Sequence, residues 1–318
     1  MKKPYLTVAE NTWSFLCDPM INPTGFREYD ARWKFPQEIN LPGITALGLG
    51  LGTQIQNRSI EPVICVGNDY RDYSVSVKNA LIIGLMQAGI TVKDIGTALS
   101  PMAYFAQFYL NVPAVAMVTA SHNPNGWTGV KMGFERPLTH GTEEMAELRK
   151  IVLEGKGKSR PGGKYEFVNG VLEAYLHDLV GDFRMNRKLT VVCATGNGTA
   201  GAFAPELFKR LGVDVIPSHN QLNYHFPNYN PNPEAMEMLE DMADCVIKNR
   251  ADLALGFDGD GDRCGVVDNE GNEIFADKVG LLLARELSKM HPESKFIADV
   301  KSTGLFSSDS VLKANGAK

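Results

Sequence analysis

The sequence predicts an α/β fold: tandem mixed α/β domains with mostly parallel sheets flanked by helices, the third domain incomplete. Three observations predict it. Short apolar runs rich in β-branched residues, bounded by turn residues, alternate with longer helical patterns, as buried parallel strands and their crossover helices do. A unit of strand, polar loop, amphipathic helix and terminating glycine recurs at 63–89, 191–212 and 296–316. The chain has 318 residues, whereas single cores stop growing at about 250–300 residues.

Taken in order, the strands are expected at Val63–Val66, Val115–Thr119, Val191–Ala194, Leu253–Phe257 and Phe296–Val300. Each is too short for a helix and apolar on both faces, which suits a strand covered from both sides. Helices are expected at Val75–Ala88, Glu143–Leu153, Gly198–Leu211, Glu234–Lys248 and Lys278–Met290. Gly155 to Gly163 lacks apolar side chains and is dense in helix breakers, so it is a linker or surface loop with a domain boundary near it. A second boundary falls between the strand pair around Asp258–Asp268 and the helix from Lys278. The expected division is 1–168, 169–272 and 273–318. The third part supplies one strand and one helix, which cannot cover both faces of a parallel strand; it packs on the preceding domain, or the natural protein continues.

Composition narrows the function classes. A hydrophobic share of 44% with 22% charged residues is ordinary for a globular chain and excludes disorder. The net charge of −5 without a Lys/Arg run argues against nucleic acid as a partner. Cys17, Cys65, Cys193, Cys245 and Cys264 are scattered and never form C-x-x-C, which favours reduced thiols and a cytoplasmic location. Met1-Lys2-Lys3 is followed by no apolar signal core in Pro4–Asn11, and no stretch is long enough to span a membrane.

The strongest chemical signal is Asp258-Gly259-Asp260-Gly261-Asp262-Arg263 between two apolar runs. Three carboxylates alternating with small residues can turn toward one point, and they repel unless a cation sits among them. All-oxygen ligands favour Mg²⁺. A calcium EF-hand loop would require glycine where Arg263 stands and glutamate where Asn269 stands. The bland alternative is a solvated acidic turn.

The second signal is Thr119-Ala120-Ser121-His122-Asn123-Pro124-Asn125-Gly126, at the end of a buried strand, where open α/β sheets bind ligands. Ser121 is there either a nucleophile or phosphate carrier, or a turn and cap residue. It lacks both the hydrolase elbow and the phosphate-loop pattern. His122 fits equally well as a buried, hydrogen-bonded histidine.

Ser121-His122-Asn123-Pro124, then Gly129-Val130-Lys131, then Asp258 to Arg263, in this order on an α/β chain, resembles the α-D-phosphohexomutase superfamily. Gly25-Phe26-Arg27-Glu28-Tyr29-Asp30-Ala31-Arg32 is similar to the N-terminal motif of its phosphomannomutase/phosphoglucomutase branch, with Trp33 where that branch usually has glycine. Gly67-Asn68-Asp69-Tyr70-Arg71 and Gly196-Asn197-Gly198 sit where the family has comparable turns. The resemblance spans about Gly25 to Lys301.

What the resemblance implies is a phosphorylated Ser121 whose phosphate is bridged by Mg²⁺ to Asp258, Asp260 and Asp262. Arg263 would hold phosphate oxygens, and Lys131, Arg32 and His122 would stand near the reacting oxygen. Arg27, Asn123 and Lys301 are the expected substrate contacts. On the residues alone, Arg32 reads better as a surface ion pair with Glu28 or Asp30, and Lys131 equally well as a solvated loop lysine. The implied partners are a hexose 1-phosphate or 6-phosphate and the hexose 1,6-bisphosphate, on a monomer or weak homo-oligomer. The implied reaction moves a phosphoryl group between C1 and C6 of mannose or glucose phosphate through phosphoserine. After Asp299-Val300-Lys301-Ser302-Thr303, which resembles the opening of the third domain, the family's sugar loop and fourth domain do not follow. The chain as it stands is therefore expected to be inactive or weakly active. The rivals are phosphoglucosamine mutase, a metal-dependent phosphatase, for which the six histidines form no second-metal cluster, and a non-catalytic sugar-phosphate-binding relative.

Overall fold

The computed structural model describes residues 18–318; Met1 to Asn11, read above for a signal sequence, and Cys17 lie outside them. The first unit comprises β1 (Asp30–Lys34), α1 (Leu41–Asn57), β2 (Val63–Asn68), α2 (Ser74–Gln87), β3 (Thr91–Thr97), α3 (Ser100–Tyr109), β4 (Ala114–Val118), β5 (Trp127–Gly133), α4 (Thr142–Leu153), β6 (Lys164–Phe167) and α5 (Val171–Val180). Its sheet runs β1-β5-β4-β2-β3-β6, with β2, β3, β4 and β6 parallel and β1 and β5 antiparallel to their neighbours. The second unit comprises β7 (Thr190–Ala194), α6 (Ala204–Arg210), β8 (Asp214–Ser218), α7 (Met236–Asn249), β9 (Leu253–Phe257), β10 (Cys264–Asp268) and β11 (Glu273–Ile274), in the order β11-β10-β9-β7-β8. There the parallel part is β8-β7-β9, and β9-β10-β11 is antiparallel because a short turn can only return the chain that way. The sheets are thus parallel at one side and antiparallel at the other. The Gly155–Gly163 loop leads into β6, an edge strand of the first sheet.

Alternation along β2 divides the first core. Ile64 and Val66 face α1, α2 and α4 through Leu47, Leu51, Leu81, Leu85 and Leu148, all buried. Val63 and Cys65 face α3 and α5 with Met102, Ala106 and Val171. Ala200 and Phe203 of the second unit enter this second cluster, so apolar packing joins the two units. The second sheet is covered by α7 on one face, through Met238, Met242 and Val246, and by α6 on the other, through Phe208.

Helix α1 carries a glycine run that reads as a breaker, which is why its sequence does not announce a helix. Tertiary contact explains it. A Cβ on Gly48 would stand 2.2 Å from the Leu81 carbonyl oxygen, and one on Gly84 of α2 would stand 2.0 Å from the Thr45 carbonyl oxygen. The two helices touch backbone to backbone, and Asn40 caps α1 by accepting from Gly43 N at 2.9 Å.

Two expected elements differ. The helix expected at Gly198–Leu211 is a 3₁₀ turn at Thr199–Ala202 followed by α6, because Pro205 lacks the N–H that a continuous helix would need. The strand expected at Phe296–Val300 does not form, since among the described residues no neighbouring strand accepts its hydrogen bonds, and Ile297 and Val300 are fully exposed. Here α8 (Ala276–Met290), α9 (Leu305–Ser308) and α10 (Ser310–Ala314) enclose a small cluster of Leu281, Ala284 and Leu312. No helix among the described residues is long and apolar enough to cross a membrane.

Candidate active site

The site lies where β4 of the first unit ends against the β9–β10 turn of the second. The turn is built by Asp258: its Oδ1 accepts from the backbone N–H groups of Asp262 (3.1 Å) and Arg263 (3.2 Å), and its carbonyl accepts from Gly261 N. That closure turns the three carboxylates inward. One oxygen from each of Asp258, Asp260 and Asp262 lies within 4.8 Å of the others. Asp258 and Asp260 are fully buried. A Cβ on Gly259 would stand 2.5 Å from the Ser121 carbonyl oxygen, so this position is glycine because the serine loop passes against it.

Ser121 is buried and adopts φ +51, a left-handed conformation uncommon outside glycine and asparagine. Its hydroxyl donates to Asp258 Oδ2 at 2.8 Å and lies 3.4 Å from His122 Nδ1. Lys131 belongs to β5, opposite Asp30 of β1, rather than to a loop. Its ammonium donates to Asp260 Oδ2 at 2.6 Å and to Asp262 Oδ2 at 2.5 Å. Arg32 does pair with Asp30, at 2.7 Å, but it is buried and also donates to the Ala120 carbonyl (2.8 Å) and to Asn123 Oδ1 (2.6 Å). The ion-pair and active-site readings of Arg32 are therefore compatible.

Electrostatics separate the carboxylates. Burial, then the charges of Asp260 and Asp262, push Asp258 up to about 7. Burial also works against the Asp260 carboxylate, but Lys131, with hydrogen bonds from Lys131 and Ser100, outweighs it and holds Asp260 down at about 2. Lys131 is raised: burial opposes its charge, and Asp260 and Asp262 more than restore it. His122 is lowered, by burial first and then by Arg263 and Arg32, so its imidazole is neutral at neutral pH. Asp260 Oδ1 is buried and has no hydrogen-bond partner among the described residues. A buried carboxylate oxygen lacking a donor, on a residue grouped with two further carboxylates, suits a hard cation.

A cleft of about 260 Å³ opens onto this cluster, lined among others by Arg32, Tyr104, Ser121, Lys131, Asp262 and Arg263. Arg263 is half-exposed and paired with Glu234 at 3.1 Å. Arg27 and Lys301 are not in the lining. Arg27 is exposed, 6.0 Å from the centre of the Trp127 ring, and Lys301 is exposed beside Asp299 at 3.9 Å.

Sequence reasoning missed Ser100, whose hydroxyl donates to Asp260 Oδ2 at 2.6 Å. A serine before Pro101 at a helix start reads only as a cap. It also left Asp69 and Arg71 as turn residues, although both are buried and hydrogen-bonded to the serine loop. Asn230, donating to the His122 carbonyl, carried no signal.

Fold and site together define a tandem α/β protein in which the first sheet presents a buried hydroxyl to an acidic turn of the second. Residues 23–158 match the family described as Phosphoglucomutase/phosphomannomutase, alpha/beta/alpha domain I, and residues 172–271 match domain II of the same family. The chain is 35% identical over 278 residues to a phosphomannomutase/phosphoglucomutase of Pseudomonas putida, covering 87% of this chain and 59% of that protein. It is 34% identical to a phosphomannomutase of Escherichia coli, covering 89% of this chain and 64% of that one. A phosphoglucomutase/phosphomannomutase family protein from Burkholderia thailandensis superposes with a TM-score of 0.88 at 29% identity, over 94% of this chain and 66% of that one. The chain belongs to the α-D-phosphohexomutase superfamily. It spans about three fifths of the length of the curated relatives it matches.

Proposed function

We propose that this chain carries the phosphoserine and metal-loop portion of a phosphomannomutase/phosphoglucomutase. It would act in the cytoplasm on a hexose 1-phosphate or 6-phosphate, with the hexose 1,6-bisphosphate as intermediate. The observation that carries this reading is the Ser121 hydroxyl, 2.8 Å from Asp258 in a cluster of three carboxylates, two of them buried, whose Asp260 Oδ1 has no partner among the described residues. Asp258, Asp260 and Asp262 would hold Mg²⁺, which when bound neutralises carboxylate and phosphoryl oxygens. The chain's own groups account for the rest. The phosphoryl group leaves Ser121 Oγ for a sugar hydroxyl: the Ser O–P bond breaks, the sugar O–P bond forms, and Ser121 Oγ ends as a free hydroxyl by taking up a proton from the same base that receives the sugar hydroxyl proton. Neutral His122 is the group suited to accept it, while Lys131 and Arg32 supply fixed positive charge beside the cleft. Arg263 is the proposed phosphate contact, and Asn123 orients Arg32. Arg27 and Lys301 are proposed for parts of the substrate beyond the cleft.

The cytoplasmic setting is supported by free cysteines at 65, 193, 245 and 264. The reading is tested by incubating the protein with glucose 1,6-bisphosphate and Mg²⁺ and mapping phosphate by peptide mass spectrometry. Label on Ser121 that disappears in S121A is the expected result; label elsewhere, or none on folded protein, overturns it.

A further inference from the structure

We propose that Arg71 is a positioning residue that fixes the direction of the Ser121 side chain; the inference rests on the reading of Ser121 as the phosphoryl carrier. Arg71 is buried, and its guanidinium is spent almost wholly on one loop. Nη2 donates to the carbonyls of Ser121 (2.9 Å) and Asn123 (2.7 Å), and Nη1 to that of Pro124 (3.1 Å). Nε donates to Asp69 Oδ2 at 3.2 Å, and Asp69 in turn accepts from Thr119 Oγ1 (2.9 Å) and Ala120 N (3.3 Å). The pair therefore holds residues 119 and 120 on one side of the serine and residues 121, 123 and 124 on the other. The Phe226 ring of the second unit lies 5.3 Å from the guanidinium centre.

The geometry gives this clamp a specific task. Ser121 sits at φ +51, which an isolated loop would not keep. With that φ fixed and the carbonyl tied to Arg71, the Cα–Cβ bond has one direction, and it delivers Oγ to Asp258. Arg71 touches neither Ser121 Oγ nor a carboxylate of the acidic turn, so it acts through the loop. A lysine retains the charge beside Asp69, but its three donors on one nitrogen cannot hold Asp69 and three carbonyls at once as the guanidinium fork does.

The test compares wild type with R71K and, should R71K not fold, with D69N/R71Q, which leaves no lone buried charge. Amide hydrogen exchange of residues 119–126 should rise while that of α1 stays unchanged. The maximal rate of Ser121 phosphorylation by glucose 1,6-bisphosphate should fall on the order of 100-fold, as small misplacements of reacting groups do. The half-saturating bisphosphate concentration and the Mg²⁺ affinity should stay within about threefold, as expected when orientation alone is lost. Unchanged exchange in the serine loop overturns the clamp whether or not Ser121 is labelled, as does a rate equal to wild type. Labelled wild type with a slow variant whose loss tracks Mg²⁺ affinity overturns it too. An unlabelled wild type sinks the phosphoserine reading instead, and the exchange result still decides the clamp.

Discussion

The Lys131 ammonium stands 2.6 Å from Asp260 Oδ2, so a cation of the first unit is set against the carboxylates of the second. The contact joins the two sheets at the point where their chemistry converges. Ser100 N, donating to the Asp260 carbonyl at 3.0 Å, and Thr199 N, donating to that of Gly259 at 3.2 Å, fix the same junction.

Replacing Lys131 by Met should destabilise the metal-free protein more than the Mg²⁺-loaded one. Removing one partner of a buried pair leaves an uncompensated charge, which costs about 3–5 kcal/mol. Thermal unfolding in chelator and in excess Mg²⁺ checks this, and equal losses in both conditions count against a cation-dependent cluster.

Asp260→Asn should weaken Mg²⁺ binding while leaving the fold intact, because the change removes a charged ligand but also relieves repulsion among three carboxylates. Titration calorimetry that finds wild-type affinity would remove Asp260 from the ligand set.

The raised Asp258 gives a pH signature. Its folded-state value of about 7 lies above the ordinary carboxylate range, so in chelator its contribution to stability is present in acid and lost as pH rises through 7. Mg²⁺ requires the ionised form, so its affinity should fall as pH drops below 7. Asp258→Asn should flatten the stability profile in chelator near pH 7 and abolish Mg²⁺ binding. A wild-type profile that is flat between pH 5 and 8 in chelator contradicts the assignment.

Gly259→Ala should misplace Ser121. The added carbon meets the serine carbonyl oxygen at 2.5 Å, and backbone cannot yield as a side chain does. A loss of about 1–3 kcal/mol in stability is expected, with slower phosphate uptake at Ser121. Unfolding in urea together with label incorporation measures both; unchanged values in both would mean that the loop has room to move.

Much of the fold was legible. The strands at Val63, Val115, Val191 and Leu253 and the helices at 74–87, 142–153, 236–249 and 276–290 announce themselves because buried strands and amphipathic helices carry their own periodicity. Helix α1 did not, since Gly48 is chosen by the backbone of α2 rather than by helix propensity. Phe296–Val300 misled for the opposite reason: its composition suits a strand, but a strand exists only with a neighbour.

The candidate site divides along the same line. By itself the sequence determined Ser121 at a strand's end and three aspartates alternating with glycines, since spacing along one loop is a local property. Tertiary structure alone decided that these loops face each other and that Lys131 lies between Asp260 and Asp262. It likewise recruited Ser100 and Arg71. Those relations join residues 137, 129 and 160 positions apart in Ser121–Asp258, Lys131–Asp260 and Ser100–Asp260. No periodicity reaches across such separations; only the packing of one unit against the other sets them.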